Sequence, residues 1–260
     1  MKSRPDTSGP SGGKLGEKLA QLASLPLLLI VWQAAASLLA HRLFPTPIAV
    51  GEELWRLASS GPLIADLLRT LGRAVAAFCL SMLVGTLGGL LLGRFPLFDR
   101  LFSGWLIVGL NLPAIIVGIL LYVWLGLTEW ALVLAVVLNK TPLVMTVVRE
   151  GVRALDPAFD ELARAFRMPL LRRLRLVLLP QLLPFLLAAG RNGLALIWKI
   201  VLVFEVLGSD GGVGYRLGVF FQFFDITGIL AYAGAFMLVV LAIEYGLVSP
   251  AERRATRWQS

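Results

Sequence analysis

Residues 149–184 read REGVRALDPAFDELARAFRMPLLRRLRLVLLPQLLP, a long charge-rich segment set between two hydrophobic runs. Asp156 suits the N-cap of a helix and Pro157 its first position, where the missing N–H costs nothing. Leu155, Phe159, Leu162, Ala163 and Phe166 recur at helical spacing and mark one apolar face. Asp160, Glu161, Arg164 and Arg167 take the other side. Pro169 disfavours helix at Met168, so this helix ends there. A second helix over 169–179 carries Arg172, Arg173 and Arg175, and Pro180 and Pro184 mark the turn into the next apolar run. Such a short amphipathic helix lies on a membrane surface or meets a protein partner.

The surrounding composition fixes the class. The chain has 260 residues, 58% of them hydrophobic, with a mean hydropathy of +0.82. The apolar residues fall in runs of about 20, the length that crosses a bilayer. The expected fold is all-α: a polytopic membrane protein of six transmembrane helices in one domain, residues 20–250, with a cytoplasmic loop at 149–180. Residues 1–19 read as a mobile cytoplasmic tail, and 251–260 as a second cytoplasmic tail. The net charge is +8, but the basic residues sit between spans and make no nucleic-acid footprint. Cys79 and His41 are the only residues of their types, which argues against a disulfide framework or a transition-metal site. Gly12-Gly13-Lys14 is no phosphate loop, because Leu15 stands where Ser or Thr would bind Mg²⁺ and Ser8 where the first Gly belongs.

Taken in order, the spans are expected at 22–39, 71–92, 101–127, 130–148, 182–207 and 227–248. Between the first two, 49–57 and 63–68 read as short interfacial helices. Gly85, Gly89 and Gly93, spaced by four, let another helix approach closely, and ordinary bundle packing explains them. Asn111 and Pro113 predict a kink in the third span. Residues 208–225 read as a Gly-rich outer loop. With the N-terminus inside, the inner segments hold most of the Arg and Lys, including seven Arg between Arg149 and Arg175. The outer segments hold Arg42, Arg56, Arg69 and Arg216. The bias places both termini and the 149–180 loop in the cytoplasm.

The loop resembles the "EAA" loop of ABC importer permeases: Glu-Ala-Ala, three residues, Gly, nine residues, Ile-x-Leu-Pro. Here the same spacing gives Glu161-Leu162-Ala163, then Arg167 in place of Gly, then Val177-Leu178-Leu179-Pro180. A Gly at that position permits a positive φ, so Arg167 is expected to make the turn another way, helped by Pro169. Gly208-Ser209-x-x-Gly212-Val213-Gly214-Tyr215, Ala231-Tyr232 and Ile243-Glu244-Tyr245-Gly246 are similar to the branch that imports nitrate, taurine and aliphatic sulfonates. The resemblance implies a non-catalytic permease subunit of the bacterial inner membrane, moving a small anionic solute. It implies as partners two copies of an ATP-binding subunit, a second permease copy forming a homodimer, an extracytoplasmic solute-binding protein and membrane lipid. No cofactor is held by the chain; Mg-ATP belongs to the ATPase. By the same resemblance Glu161, Ala163, Ala165, Phe166, Arg167 and Pro180 couple the bundle to that ATPase. The alternative is a stand-alone secondary transporter or channel, with the loop as a surface helix.

Polar residues within the spans form a second group: Asn111, Asn139, Lys140, Lys199 and Glu205. A charge in hydrocarbon costs about 2.5–3.5 kcal/mol on insertion scales, so these groups face protein or water. Either Lys140 or Lys199 pairs with Glu205 and fixes helix packing, or the two lysines line the solute path and favour an anion.

Overall fold

A computed structural model describes residues 11–250; residues 1–10 of the expected N-terminal tail 1–19 and the expected tail 251–260 lie outside the described residues, whereas residues 11–19 of the former are helical, the start of a helix that runs to Leu39. All regular structure among the described residues is helical. In order these are α1 (Ser11–Leu39), α2 (Pro47–Ser60), α3 (Leu63–Arg94), α4 (Pro96–Asn111), α5 (Ala114–Leu125) and α6 (Glu129–Arg153). They continue with α7 (Pro157–Ala165), α8 (Leu170–Arg173), α9 (Leu179–Gly208), α10 (Val213–Gln222) and α11 (Ile226–Ile243).

Four helical stretches are long and apolar enough to cross a membrane: Leu63–Arg94, Glu129–Arg153, Leu171–Gly208 and Ile226–Val248. The expected third span is instead two helices, α4 and α5, bent by 97°. The break is at Leu112–Pro113, where Pro113 cannot continue the helix. In α1 the apolar part is confined to Pro26–Leu39. Six expected spans therefore correspond to four uninterrupted helices, one bent pair and one shorter apolar helix.

α6 is the axis of the bundle. Of its most apolar stretch 56% is buried, against 28% for α3 and 22% for the span containing α11. Val136, Val144 and Val148 of α6 lose essentially all solvent contact. They do so because α3 comes very close: a Cβ added at Gly85, Gly89 or Gly93 would lie 2.5–2.7 Å from the Cβ of Val144, Val148 or Val152. Only hydrogen fits there, so the four-residue glycine spacing is a packing device. The other side of α6 receives α5 and α9, with Gly118 of α5 seated on the ring of Phe204.

Three expectations are corrected. Residues 63–68 are no separate interfacial helix; they are the first turns of α3, which runs unbroken to Arg94. Residues 208–225 are not simply a loop, because α10 forms within them. Pro180 and Pro184 do not turn the chain. Helix continues from α8 through one π turn, Leu174–Leu178, into α9, and the Leu179 N–H bonds the Leu174 carbonyl. The widened turn accommodates the Pro180 ring, which would clash with the carbonyl four residues back in a regular α-helix. The same arrangement recurs at Glu244–Val248, where the Ser249 N–H bonds Glu244 just before Pro250.

Candidate functional site

At one end of the bundle α7 stands as an elbow between α6 and α8. Asp156 caps it, its Oδ1 accepting from the Ala158 N–H at 2.9 Å. The far end closes on Arg167, whose φ is +48°. The Met168 N–H then bonds the Ala163 carbonyl at 3.0 Å. This is the six-to-one bond of a Schellman terminus, with the left-handed residue just before the donor. Arg167 thus makes the turn in the conformation a Gly would use, and the expectation that it makes the turn otherwise is corrected.

α7 packs on the π turn through a face that includes Ala163, which is 1% exposed. Of the rest of the expected apolar face, Leu155 is half-buried, whereas Phe159 is 49%, Leu162 50% and Phe166 71% exposed. Glu161, Ala165 and Arg167 are exposed too, and Pro180 is half-buried behind them. Beneath the elbow lies a cleft of about 630 Å³ between the end of α3 (Leu91, Arg94), the α6–α7 junction (Leu155, Asp156) and the π turn (Leu174, Leu178). Asp99 of α4 braces this end by pairing with Arg149 at 3.2 Å and Arg153 at 2.5 Å.

At the opposite end the structure gathers charges that sequence reasoning left apart. Glu205 is fully buried and pairs with Arg73 at 2.7 Å, not with Lys140 or Lys199. Both of its oxygens accept from Thr70 Oγ1 at 2.9 Å, and Oε2 accepts from the Gly214 N–H at 2.8 Å. Arg73 also donates to Glu129 and to the Gly211 carbonyl. Asp66 takes the Gly212 N–H at 3.1 Å, Arg216 at 2.8 Å and the Tyr232 hydroxyl at 3.0 Å. The Val213 N–H goes to Thr70 Oγ1.

The first N–H groups of α10 are therefore satisfied by Asp66, Thr70 and Glu205, acidic or polar groups of other helices where the helix dipole favours them. Gly212 enters α10 at φ +102°, and a Cβ there would strike Glu205 Oε1 at 2.4 Å. Asp66, Thr70 and Arg73 lie at helical spacing on α3. That spacing was the available signal, hidden by the expected break before residue 71.

The remaining mid-span residues do not form one cluster. Asn139 donates to the Leu112 carbonyl at 3.3 Å and so ties α6 to the α4–α5 bend. Asn111 donates to Ile107 on its own helix at 2.8 Å. Lys140 is 8% exposed, whereas Lys199 lies on the exposed face of α9.

The family described as "Binding-protein-dependent transport system inner membrane component" matches residues 81–250, which include the elbow and the helices on either side of it. The chain belongs to this family. It is accordingly a multi-pass inner-membrane permease of the ABC transporter class, without catalysis of its own; ATP hydrolysis is the work of a separate subunit.

Relatives of this permease include the aliphatic sulfonates transport permease protein SsuC of Bacillus subtilis, 27% identical, with 91% of this chain and 86% of that one covered. The riboflavin transport system permease protein RibX of Chloroflexus aurantiacus is 29% identical over 91% and 89%. The taurine transport system permease protein TauC of Escherichia coli is 25% identical over 91% and 88%. Among solved structures, an inward-facing MetNI methionine ABC transporter superposes with a TM-score of 0.64 at 20% identity. It covers 75% of this chain and 96% of that one, and the likeness is one of fold.

Proposed function

We propose that this permease is one of two identical, facing copies in an ATP-driven importer. The solute is a small sulfonate-, taurine- or nitrate-like anion delivered by an extracytoplasmic binding protein. The named solutes of SsuC and TauC support that class. Both termini and α7 face the cytoplasm, as the distribution of Arg and Lys favours. An ATP-binding subunit docks on each α7 and drives the bundle between two states by its own nucleotide-dependent closure.

The observation that carries this reading is α7 itself. A nine-residue helix, capped at both ends, leaves Phe159 and Leu162, and Phe166 just beyond its last residue, about half exposed or more among the described residues. Phe166 is an aromatic anchor of the size that fills a partner's pocket. Glu161, exposed beside it, is available to a basic group on the same partner. Ala163 permits α7 to lie close against the π turn, so a push on α7 passes directly into α9. Arg167 and Pro180 set the two ends of that lever, a left-handed turn and a π-widened one.

The reading is tested by purifying the permease in mild detergent with its ATP-binding subunit, before and after joint replacement of Glu161 and Phe166 by Ala. Loss of the ATPase from the complex, with the permease still folded, supports it. An intact complex that transports normally refutes the docking role.

A further inference from the structure

The exposed surface at mid-depth has, almost everywhere, the composition that lipid requires. On α3 every exposed position from Val75 to Leu87 is Val, Ala, Leu or Cys. On α11 the exposed residues from Ala233 to Leu241 are Ala, Met and Leu. α9 breaks this pattern. Asn192 and Lys199 are both exposed and stand seven residues, two helical turns, apart on one face, with Ala195 and Leu196 between them. Lys199 has no hydrogen bond or ion pair within the described residues.

Depth makes this placement informative. Lys199 precedes Gly208, the end of α9, by nine residues, which is about 14 Å along the helix. The hydrocarbon layer is about 30 Å thick, so Lys199 sits close to its middle. A lysine near a helix end reaches the interface by extending its stem; one at the middle does not reach it. Lys140 lies at a similar distance from the start of α6 but is enclosed by its own bundle. An uncompensated ammonium on an outer face at this depth needs water or protein opposite it, not acyl chains.

We propose that the Asn192–Lys199 face of α9 lines the solute path against a second copy of this chain, and that Lys199 makes that path selective for anions. One lysine from each copy then faces the two-fold axis, and Asn192 supplies neutral hydrogen bonds two turns along. Lys140 is enclosed within the protomer and takes no part in selection. This inference rests on the chain being one of two facing permeases.

The test uses the intact complex in native membranes and needs no identified solute. In a Cys79→Ser background, Asn192→Cys is reacted with a negatively charged and a positively charged methanethiosulfonate, and each rate is divided by that of free cysteine. Asn192→Cys is expected to react, whereas Leu83→Cys on the lipid face of α3 stays silent. The normalised rates are expected to favour the anionic reagent by about tenfold, and Lys199→Gln to abolish that preference while Lys199→Arg keeps it. A silent Asn192→Cys would place the face in lipid and overturn the proposal. A reactive one whose charge preference ignores Lys199 would overturn the selective role. Whether an ATPase co-purifies is read separately, so failure of the importer reading is distinguishable from failure here.

Discussion

Arg73 of α3 and Glu205 of α9 meet at 2.7 Å, and both side chains are at least 95% removed from solvent. They are 132 residues apart in sequence and fasten the end of the bundle away from α7. Breaking a buried pair from one side leaves an uncompensated charge, which costs about 3–5 kcal/mol. Arg73→Met is therefore expected to lower stability by that amount in a denaturant titration in detergent. Lys140→Met and Lys199→Met break no pair among the described residues and are expected to stay within about 1 kcal/mol of the parent. Equal losses for all three would remove Arg73 from its special place.

The α3–α6 contact makes a second prediction. A methyl group at Gly89 would stand 2.7 Å from Val148 Cβ and 2.8 Å from the Met145 carbonyl, with backbone on one side and a stiff branched chain on the other. Gly89→Ala is expected to cost about 1–3 kcal/mol through overpacking. Gly72→Ala on the same helix meets nothing within 4 Å and is expected to gain about 0.5–1 kcal/mol from helix propensity. Opposite signs in parallel thermal scans would bear this out; a neutral Gly89→Ala would mean that α3 and α6 can part cheaply.

Arg167 gives a third. Its left-handed backbone costs a non-glycine residue about 1–2 kcal/mol, and its side chain is exposed. Arg167→Gly is expected to slow amide exchange at Met168, whose N–H closes the terminus on Ala163. Arg167→Val is expected to speed it, because β-branched residues tolerate this conformation poorly. If both variants exchange like the parent, the Schellman terminus contributes nothing to holding α7.

Much of this fold is written locally, and the chemistry of one end is not. The cap at Asp156, the apolar runs and the glycine spacing act within a turn or two, so periodicity reveals them. The bend at Leu112–Pro113 was expected as a kink because Pro113 signals it; its 97° reflects tertiary placement. Glu205 shows the opposite case. Its partners Arg73 and Thr70 of α3 and Gly214 of α10 come from two other elements, one distant in sequence and one across a turn, and nothing along the chain selects Arg73 over Lys140 or Lys199. α10 was hidden for the same reason: the groups that satisfy its first N–H atoms lie 143–146 residues away or across a glycine turn. Arg167 misled in a third way, since propensity disfavours the conformation that the surrounding hydrogen bonds impose.

The central claim is that force from nucleotide closure enters the bundle through α7. A photo-activated cross-linking residue in place of Phe166, in membranes containing the whole transporter, tests it most directly. The account predicts an adduct with the ATP-binding subunit, lost when Glu161 is replaced by Arg. Solute uptake that continues while the residue at 166 labels only lipid, or only from the extracytoplasmic side, would contradict it.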